Sequence, residues 1–225
     1  MAAKTQPQRK ARARKRRPGR PPADATSLRE RLLDAAVSCF ATDGITAASL
    51  RSIAVKAGVT PAMVNYYFGS KQRLLDAFVA ERVLPLVAEL GDGIRAAGED
   101  PRALVAAFVH GLHAAVRRSP WLPALWLREV ISENGALREV LFNQISEHVP
   151  RVLAARFAAL QQEGALAAGL EPRLLVVSLI GLTLFPLAAE PIWRRVFDAA
   201  DIDYARLESH TLALLDHGFG APHAR

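Results

Sequence analysis

The sequence has too little cysteine and too short an apolar run for several common kinds of protein. Its 225 residues include one cysteine, Cys39, so neither a disulfide framework nor a cysteine-based metal cluster can form within the chain. The longest uncharged apolar run, Leu174–Ala189, has sixteen residues and contains Pro186, whereas a membrane-spanning helix needs about 20. We therefore expect no membrane partner and interpret this run as a helix buried on all sides. A charged N-terminus without a following apolar stretch argues against a secretory signal, and together with the single cysteine it predicts a cytoplasmic protein.

Acidic residues are absent from the start of the chain, where the positive charge is concentrated. Nine lysines and arginines precede the first acid, Asp24. Because the whole chain carries +7, the remainder without those nine charges is at −2. A segment this charged buries too little apolar surface to offset the entropy cost of ordering it. We predict that residues 1–27 form a disordered basic arm that binds DNA, with Arg17 and Arg20 among its contacts.

The arm contains one motif of its own, RRPGRPP at residues 16–22. It is similar to an AT-hook, whose Arg-Gly-Arg-Pro core lies along the minor groove of A·T-rich DNA. Pro18 stands where the first core arginine would be, which weakens the match. A basic arm with unspecific phosphate affinity is the favoured interpretation.

No convincing strand pattern appears past the arm, and apolar residues recur instead at steps of three and four. The first such pattern ends at Asp43-Gly44, a natural helix stop. Two short helices follow at about 50–57 and 61–68, with Ser49 and Thr60 as N-caps. The four residues that join them, Ala57 to Thr60, have the spacing of a helix-turn-helix.

This pattern predicts an all-α fold with two folded domains. A three-helix, helix-turn-helix DNA-binding domain occupies residues 28–73, and a larger helical ligand-binding and dimerisation domain occupies residues 74–225. In a helix-turn-helix the second helix enters the major groove of DNA, with its N-terminal residues towards the base edges. On that helix Val64 and Phe68 share a face that should turn into the core. Asn65, on another face, can donate and accept hydrogen bonds at an adenine edge.

Residues 28–75 resemble the DNA-binding domain of the TetR family of bacterial transcriptional repressors. The resemblance is carried by Ala35-Ala36, Phe40, Gly44, the run Ser49–Ala54, Ala57-Gly58-Val59, the Tyr-Phe-Gly-Ser-Lys run at 67–71, and Leu74-Leu75. It implies an all-helical homodimer with a C-terminal ligand domain. Such a dimer binds a palindromic operator and dissociates from it when a small molecule binds to the ligand domain. It also implies that the helices at about 172–188 and 203–217 form a four-helix dimer interface. The stretch 121–198 is similar to a subgroup associated with efflux-pump genes.

The resemblance also implies the DNA contacts. Base edges would be contacted by Arg51 and by the start of the third helix, and the backbone would be contacted around them. The implied residues are Thr46, Ser49, Arg51, Thr60, Pro61, Ala62, Tyr66, Tyr67 and Lys71, with Asn65 where the family often has tyrosine. That departure means that no operator sequence can be transferred from a relative. The structural alternatives are a core role for Tyr67, a solvated Arg51, and helix capping by Ser49 and Thr60.

The larger domain identifies its ligand site less clearly. In the family the cavity lies among the middle helices, which implies the pocket candidates Phe108, His113, Trp126, Glu129 and Phe142. The alternative is that these aromatic residues are simply core. Six prolines are expected to break or kink the helices and so make room for a cavity. They are Pro85, Pro120, Pro123, Pro150, Pro186 and Pro191.

Two histidines in this domain raise the question of a metal. His110 and His113 are three residues apart, so their imidazoles share one face of a helix and can ligate zinc if a third ligand comes close. Glu129, Glu133 and His148 are the candidates, but no spacing marks any of them. Satisfied or exposed histidines are favoured, and no metal or other cofactor is predicted.

The predicted function is a ligand-responsive transcriptional repressor. Its partners would be a double-stranded DNA operator, a second copy of the chain and a small, largely apolar effector. We predict no enzyme activity, because no Gly-rich phosphate loop, serine elbow or paired-carboxylate signature appears. The alternative is a ligand-independent architectural DNA-binding protein dominated by its basic arm. The size of the C-terminal domain argues against that alternative.

Overall fold

A computed structural model describes the backbone of residues 23–219 and the side chains of residues 27–216. All regular structure in that range is helical, as predicted. The helices are α1 Ala23–Asp43, α2 Leu50–Ala57, α3 Pro61–Phe68, α4 Lys71–Phe78, α5 Leu84–Ala96, α6 Pro101–Arg118, α7 Leu122–Leu125, α8 Arg138–Val140, α9 Pro150–Gln162, α10 Pro172–Ala188, α11 Glu190–Val196 and α12 Tyr204–Phe219. The predicted contacts of Arg17 and Arg20 lie outside the described residues. Helix α1 begins at Ala23, so the last residues of the predicted arm, 23–27, are helical.

Three π-helical turns widen this framework. Val79–Val83 joins α4 to α5, Trp126–Ile131 continues α7, and Leu141–Ile145 continues α8. The first of these is followed by Leu84 and then by Pro85, which has no N–H to bond to the preceding turn. Chain continuity through the wide turn links the start of α4 to the interior of the larger domain.

The prolines have a different role from the predicted one. Of the six, Pro186 alone lies inside a helix. Pro123, Pro150 and Pro191 stand within the first two positions of helices, where a missing N–H costs little, whereas Pro85 follows the π turn without a break in the helical backbone. The first three therefore start helices more than they kink them.

The helix-turn-helix forms as the sequence predicted. Ser49 caps α2 by accepting a hydrogen bond from the Ser52 N–H at 3.0 Å. Gly58 ends α2 with φ 71°, a left-handed conformation that favours glycine. Thr60 stands at the N-cap of α3, but its side chain makes no capping hydrogen bond, which corrects the prediction. The Met63 N–H bonds instead to the backbone carbonyl of Thr60 at 3.0 Å, so the hydroxyl is left for other partners.

The buried residues form two clusters. The first joins α1, α2, α3 and α4 and is centred on fully buried side chains such as Phe40, Ile53 and Phe78. The second joins α6, α9, α10 and α12 around side chains such as Phe108 and Phe157. Leu125 and Leu137, from the segment that carries α7 and α8, belong to the first cluster, so this segment packs against the DNA-binding unit.

Helix α10 is buried on one face only, which corrects the prediction that it is covered on all sides. Leu179 and Leu184 lie in the second cluster, whereas Leu174, Val177 and Phe185 are 62–63% exposed. The helices that contact α10 in the described part of the chain are α6, α7, α9, α11 and α12, and they leave this face exposed. No single helix within residues 23–219 is long and apolar enough to cross a membrane. Helices α10 and α11 together reach the length and apolar composition of a membrane span, but they meet at a bend of 69°.

Candidate functional site

Helix α3 has one buried face and one exposed face. Val64 and Phe68 are buried in the first cluster, as predicted. The exposed residues at and near its start are Thr60, Pro61, Ala62, Asn65 and Tyr66. The helix therefore offers its N-terminal end and one polar side to a partner while its other side holds the fold.

The two tyrosines of α3 differ in burial. Tyr66 is 79% exposed, and its ring packs edge to face against Tyr67 with 5.2 Å between centroids. Tyr67 is half-buried and packs on the first cluster. A tyrosine in that position can have an apolar ring in the core and a hydroxyl directed to a phosphate, so the two interpretations of Tyr67 are compatible.

The surface next to α3 is formed by the α1–α2 loop and α2. Thr46, Ser49 and Arg51 are all exposed there. Ser49 uses its hydroxyl for the helix cap, so a contact to DNA would be its second role. Arg51 makes no hydrogen bond or ion pair with any described residue, which leaves its five N–H donors available.

Lys71 has a structural partner that the sequence does not reveal. Its ammonium donates to the backbone carbonyl oxygen of Thr46 at 2.7 Å. An ammonium has three donors, so others remain for a phosphate. The bond holds the α1–α2 loop against the start of α4.

A second polar contact fixes α1 to the turn that follows α4. Two nitrogens of Arg29 donate to the carboxylate of Glu81 at 2.6 and 2.7 Å, and the guanidinium lies 5.1 Å from the ring centre of Phe68. The hydrogen bond from Arg29 holds the pKa of Glu81 below its ordinary value, although partial burial opposes this. The DNA-binding unit is therefore tied to the turn that leads into the larger domain.

A cavity of about 120 Å³ lies where the two clusters meet. Its wall contains apolar and aromatic side chains and no charged one. The lining residues include Phe108, Trp121, Leu125, Trp126 and Leu184. A single water needs about 10–15 Å³ by the same measure, so the space exceeds that of a few waters. Its chemistry suits an uncharged, largely apolar molecule.

Two of the five predicted pocket residues, Phe108 and Trp126, lie in the cavity wall. The other three predicted residues, His113, Glu129 and Phe142, do not line this cavity. Phe142 is 52% exposed. His113 is fully buried, and neither of its ring nitrogens has a hydrogen-bond partner among the described residues. Glu129 is also buried, but its carboxylate accepts hydrogen bonds from the backbone N–H groups of Ile45 and Ala136.

The two histidines of α6 have separate environments. His110 is exposed, and its Nδ1 lies 2.6 Å from a carboxylate oxygen of Glu208. Burial lowers the pKa of His113, and the nearby Glu208 carboxylate opposes this only in part. Within the described residues, no group of three or more histidine, cysteine, aspartate or glutamate side chains is arranged to hold a metal ion.

Sequence reasoning missed the role of Arg128 and misplaced Glu129. Both follow Trp126 on the wide turn after α7, and both contact the C-terminal end of α1 or the loop after it. Their partners are more than 80 residues earlier in the chain. No local spacing could have indicated these contacts.

Known proteins share this arrangement. A family model described as bacterial regulatory proteins of the tetR family matches residues 32–78. The HTH-type transcriptional regulator SrpR of Pseudomonas putida is 36% identical over 117 residues, which cover 51% of this chain and 53% of SrpR. The HTH-type transcriptional regulator TtgW, also of Pseudomonas putida, is 36% identical over 117 residues, covering 51% of this chain and 84% of TtgW. The match thus spans about half the length of SrpR and most of TtgW.

Solved structures share the fold at lower identity. FadR from Bacillus subtilis in complex with stearoyl-CoA has a TM-score of 0.64 and 21% identity, with 85% of this chain and 99% of FadR covered. SmeT in complex with triclosan has a TM-score of 0.60 and 20% identity, with 88% of this chain and 93% of SmeT covered. These structures support the fold, and the match to TtgW together with the family model supports the relationship in sequence. The chain therefore belongs to the TetR family of bacterial regulatory proteins, whose members regulate transcription through a helix-turn-helix.

Proposed function

We propose that the protein is a ligand-responsive transcriptional repressor. As a homodimer it binds a palindromic DNA operator, and it leaves the operator when a small, largely apolar molecule enters the cavity. The observation that carries the proposal is the division of α3 into a buried face and an exposed N-terminal end in a helix-turn-helix. An apolar cavity beside that unit provides the second half of the proposal.

The DNA contacts follow from the exposed residues of the unit. Arg51 would make a bidentate contact to a guanine edge, and Asn65 would contact an adenine edge. Phosphate contacts would come from the hydroxyl groups of Thr46, Tyr66 and Tyr67, with Ser49 and Thr60 as further donors. The start of α3 at Pro61 and Ala62 would approach the bases closely. Lys71 would add a positive charge beside the same phosphates.

The second copy of the chain would pack on α10. Beyond Arg173, the exposed residues of α10 recur at three- and four-residue steps, as expected for one stripe of a helix; they are Leu174, Val177, Ser178, Gly181, Leu182 and Phe185. An apolar stripe of this kind is costly to leave in water and is typical of an interaction surface. A two-fold dimer would also match a palindromic operator, with half-sites one helical turn apart.

The effector would be a molecule without a net charge in the part that enters the cavity. A buried ion without a partner is strongly disfavoured, and the cavity wall offers no charged partner. The ligands in the related structures are consistent with this, since stearoyl-CoA has a long acyl chain and triclosan is a small aromatic molecule. We therefore expect an aromatic or aliphatic effector of modest size.

Release from DNA would be a population shift between two spacings of the recognition helices. The effector would move α4, because α4 begins beside α3 and is continuous through Val79–Val83 with the cavity wall at α5. Moving the equilibrium from 1:99 to 99:1 requires a differential binding free energy of about 5.5 kcal/mol. An effector that bound both states equally would have no effect.

The proposal is tested by fluorescence-anisotropy binding to DNA from upstream of the protein's own gene, with a scrambled duplex as control and a salt series. The full chain is compared with a variant that lacks residues 1–22. We expect a strong preference for the upstream DNA that survives the truncation, with a shallower dependence on salt because the nine arm charges are gone.

The opposite result would favour the architectural alternative. If both duplexes bind equally and truncation abolishes binding, affinity comes from the basic arm and not from the helix-turn-helix. The effector is tested separately, by adding triclosan as a probe and following both the release of bound DNA and the fluorescence of the three tryptophans, of which Trp121 and Trp126 line the cavity.

A further inference from the structure

The carboxylate of Glu129 bridges the larger domain and the helix-turn-helix. One oxygen accepts a hydrogen bond from the backbone N–H of Ile45 at 2.8 Å, and the other accepts from the N–H of Ala136 at 3.0 Å. The residue is only 4% exposed. A buried carboxylate with two N–H donors is well satisfied, and the loss of either bond would leave a buried backbone donor unpaired.

Arg128 strengthens the same joint from the surface. Its Nη1 donates to the carbonyl oxygen of Thr42 at 2.7 Å and lies 3.3 Å from that of Ala41. These carbonyls belong to the last turn of α1, where intrahelical partners run out and a positive charge is favourable. Adjacent side chains on one turn thus hold the end of α1 and the loop that follows it.

Gly44 lies close to the side chains of both Arg128 and Glu129. A Cβ added there would lie 3.1 Å from both Arg128 Cδ and Glu129 Oε1. Its φ of +88° is also one that residues with a side chain rarely adopt. The positive φ therefore favours glycine here, and a side chain would also crowd Arg128 and Glu129.

The turn that forms this joint is also part of the cavity wall. Trp126 and Val130 line the cavity, and Glu129 lies between them in the chain. Leu137, which also lines the cavity, donates its backbone N–H to the carbonyl of Glu129 at 2.9 Å. A molecule that displaces Trp126 or Val130 would thus displace a turn that is bonded to Ile45 through Glu129.

We propose that Glu129 is a positioning residue that transmits the occupancy of the cavity to the α1–α2 loop, by a route separate from α4. The proposal rests on the proposed effector function and deepens it. The loop leads directly into α2, which carries Arg51, and contains Thr46, which Lys71 holds on its other side. Displacement of Ile45 would therefore change the position of the predicted DNA contacts at Thr46, Ser49 and Arg51 relative to α3.

The test perturbs the cavity without any ligand and reads the response at two places. Ala115→Leu adds three carbons to the cavity wall on α6, on an element that does not carry Glu129. Amide hydrogen exchange is measured by NMR on the full chain at Ala48, in the α1–α2 loop, and at Leu74, in α4. Neither amide is bonded to Glu129: Ala48 donates to Gly44 and Leu74 to Ser70.

The perturbation is introduced into the native background and into Glu129→Gln, an isosteric change that leaves one of the two N–H groups facing an amide NH₂. Glu133→Gln is the matched control, because Glu133 is exposed and four residues further along. Arg128→Gln is a second test variant. Because the Arg128 side chain is exposed, we expect this variant to fold.

In the native and Glu133→Gln backgrounds, we expect Ala115→Leu to change the exchange rate of the Ala48 amide by about fivefold. In the Glu129→Gln background the change should be less than about twofold. In the Arg128→Gln background the response of Ala48 should be intermediate. Exchange at Leu74 should respond in every background. An equal response at Ala48 with and without Glu129→Gln, or no response at Ala48 in the native background, would overturn the proposal.

A parallel titration keeps this outcome distinct from failure of the proposed function. N-phenyl-1-naphthylamine, an uncharged fluorescent probe, is titrated into the native protein and into Ala115→Leu. If it binds neither protein, or binds both equally, the effector role of the cavity fails, whereas the exchange experiment still decides whether Glu129 couples the cavity wall to the loop.

Discussion

The ammonium of Lys71 donates a hydrogen bond to the backbone carbonyl oxygen of Thr46, 2.7 Å away and 25 residues earlier in the chain. The bond joins the loop before α2 to the first turn of α4. Lys71 and Thr46 were each predicted to contact the DNA backbone, and the structure adds that each positions the other. A substitution at Lys71 therefore removes both a charge and a support for the loop.

Substitution of Lys71 by alanine should weaken binding to operator and scrambled DNA by similar factors. It should also make the salt dependence of log K shallower by about one, because one phosphate contact is lost. Anisotropy titrations over a salt series measure both quantities. Lys71→Gln separates the two roles, since its amide can still donate to Thr46 but carries no charge; affinity for the operator close to that of the native protein would mean that loop support matters more than charge.

Substitution of Arg51 by alanine should relax base choice. The loss of a bidentate contact to guanine would reduce discrimination at one operator position by about 1–3 kcal/mol. Binding to a set of operators with single base changes measures this, with Lys56→Ala as a control in the same helix. If the order of preference among these duplexes is unchanged in Arg51→Ala, the arginine is a solvated surface residue and the assignment fails.

Substitution of Phe185 by glutamate should convert the protein to a monomer. The side chain is 62% exposed at the C-terminal end of the apolar stripe of α10, and a charge there would lose its hydration in a dimer interface. Sedimentation equilibrium measures the mass. Val55→Glu is the control, because Val55 is 73% exposed on α2, away from α10. A native protein that is already monomeric at micromolar concentration would contradict the proposed dimer.

Acid should destabilise the fold through His113. Burial lowers the pKa of His113 in the folded protein. At pH values between the folded pKa and the ordinary pKa, the unfolded chain therefore binds more protons than the folded protein. The neutral buried side chain costs no stability above an ordinary pKa of about 6.5, and stability falls as the pH drops below that value until the folded pKa is reached. His113→Leu should make urea unfolding less sensitive to pH between about 7 and 5. Exposed His210 provides the control, and an equal effect of His210→Leu would rule out burial as the cause.

The sequence by itself determined the local elements of the DNA-binding unit. Ser49, Gly58, Pro61 and Gly69-Ser70 act through the backbone within a few residues, so the bounds of α2 and α3 could be predicted before any tertiary contact was known. The burial of Val64 and Phe68 followed from their spacing on one helix. Motifs spread over residues 28–75 were also sufficient to indicate the family.

Only the tertiary structure decided which contacts are made by those residues of the larger domain that belong to no sequence motif. His113, Glu129 and Phe142 were predicted to line a pocket, but their positions depend on how distant helices pack. Glu129 contacts Ile45, which is 84 residues away, and nothing in the local spacing of either residue records this contact. The exposed face of α10 is a similar case, because an apolar run predicts a buried helix but does not indicate which of its faces the rest of the chain covers. Short-range rules fix helices and turns, whereas the partners of a buried polar group are fixed only when the chain has folded around it.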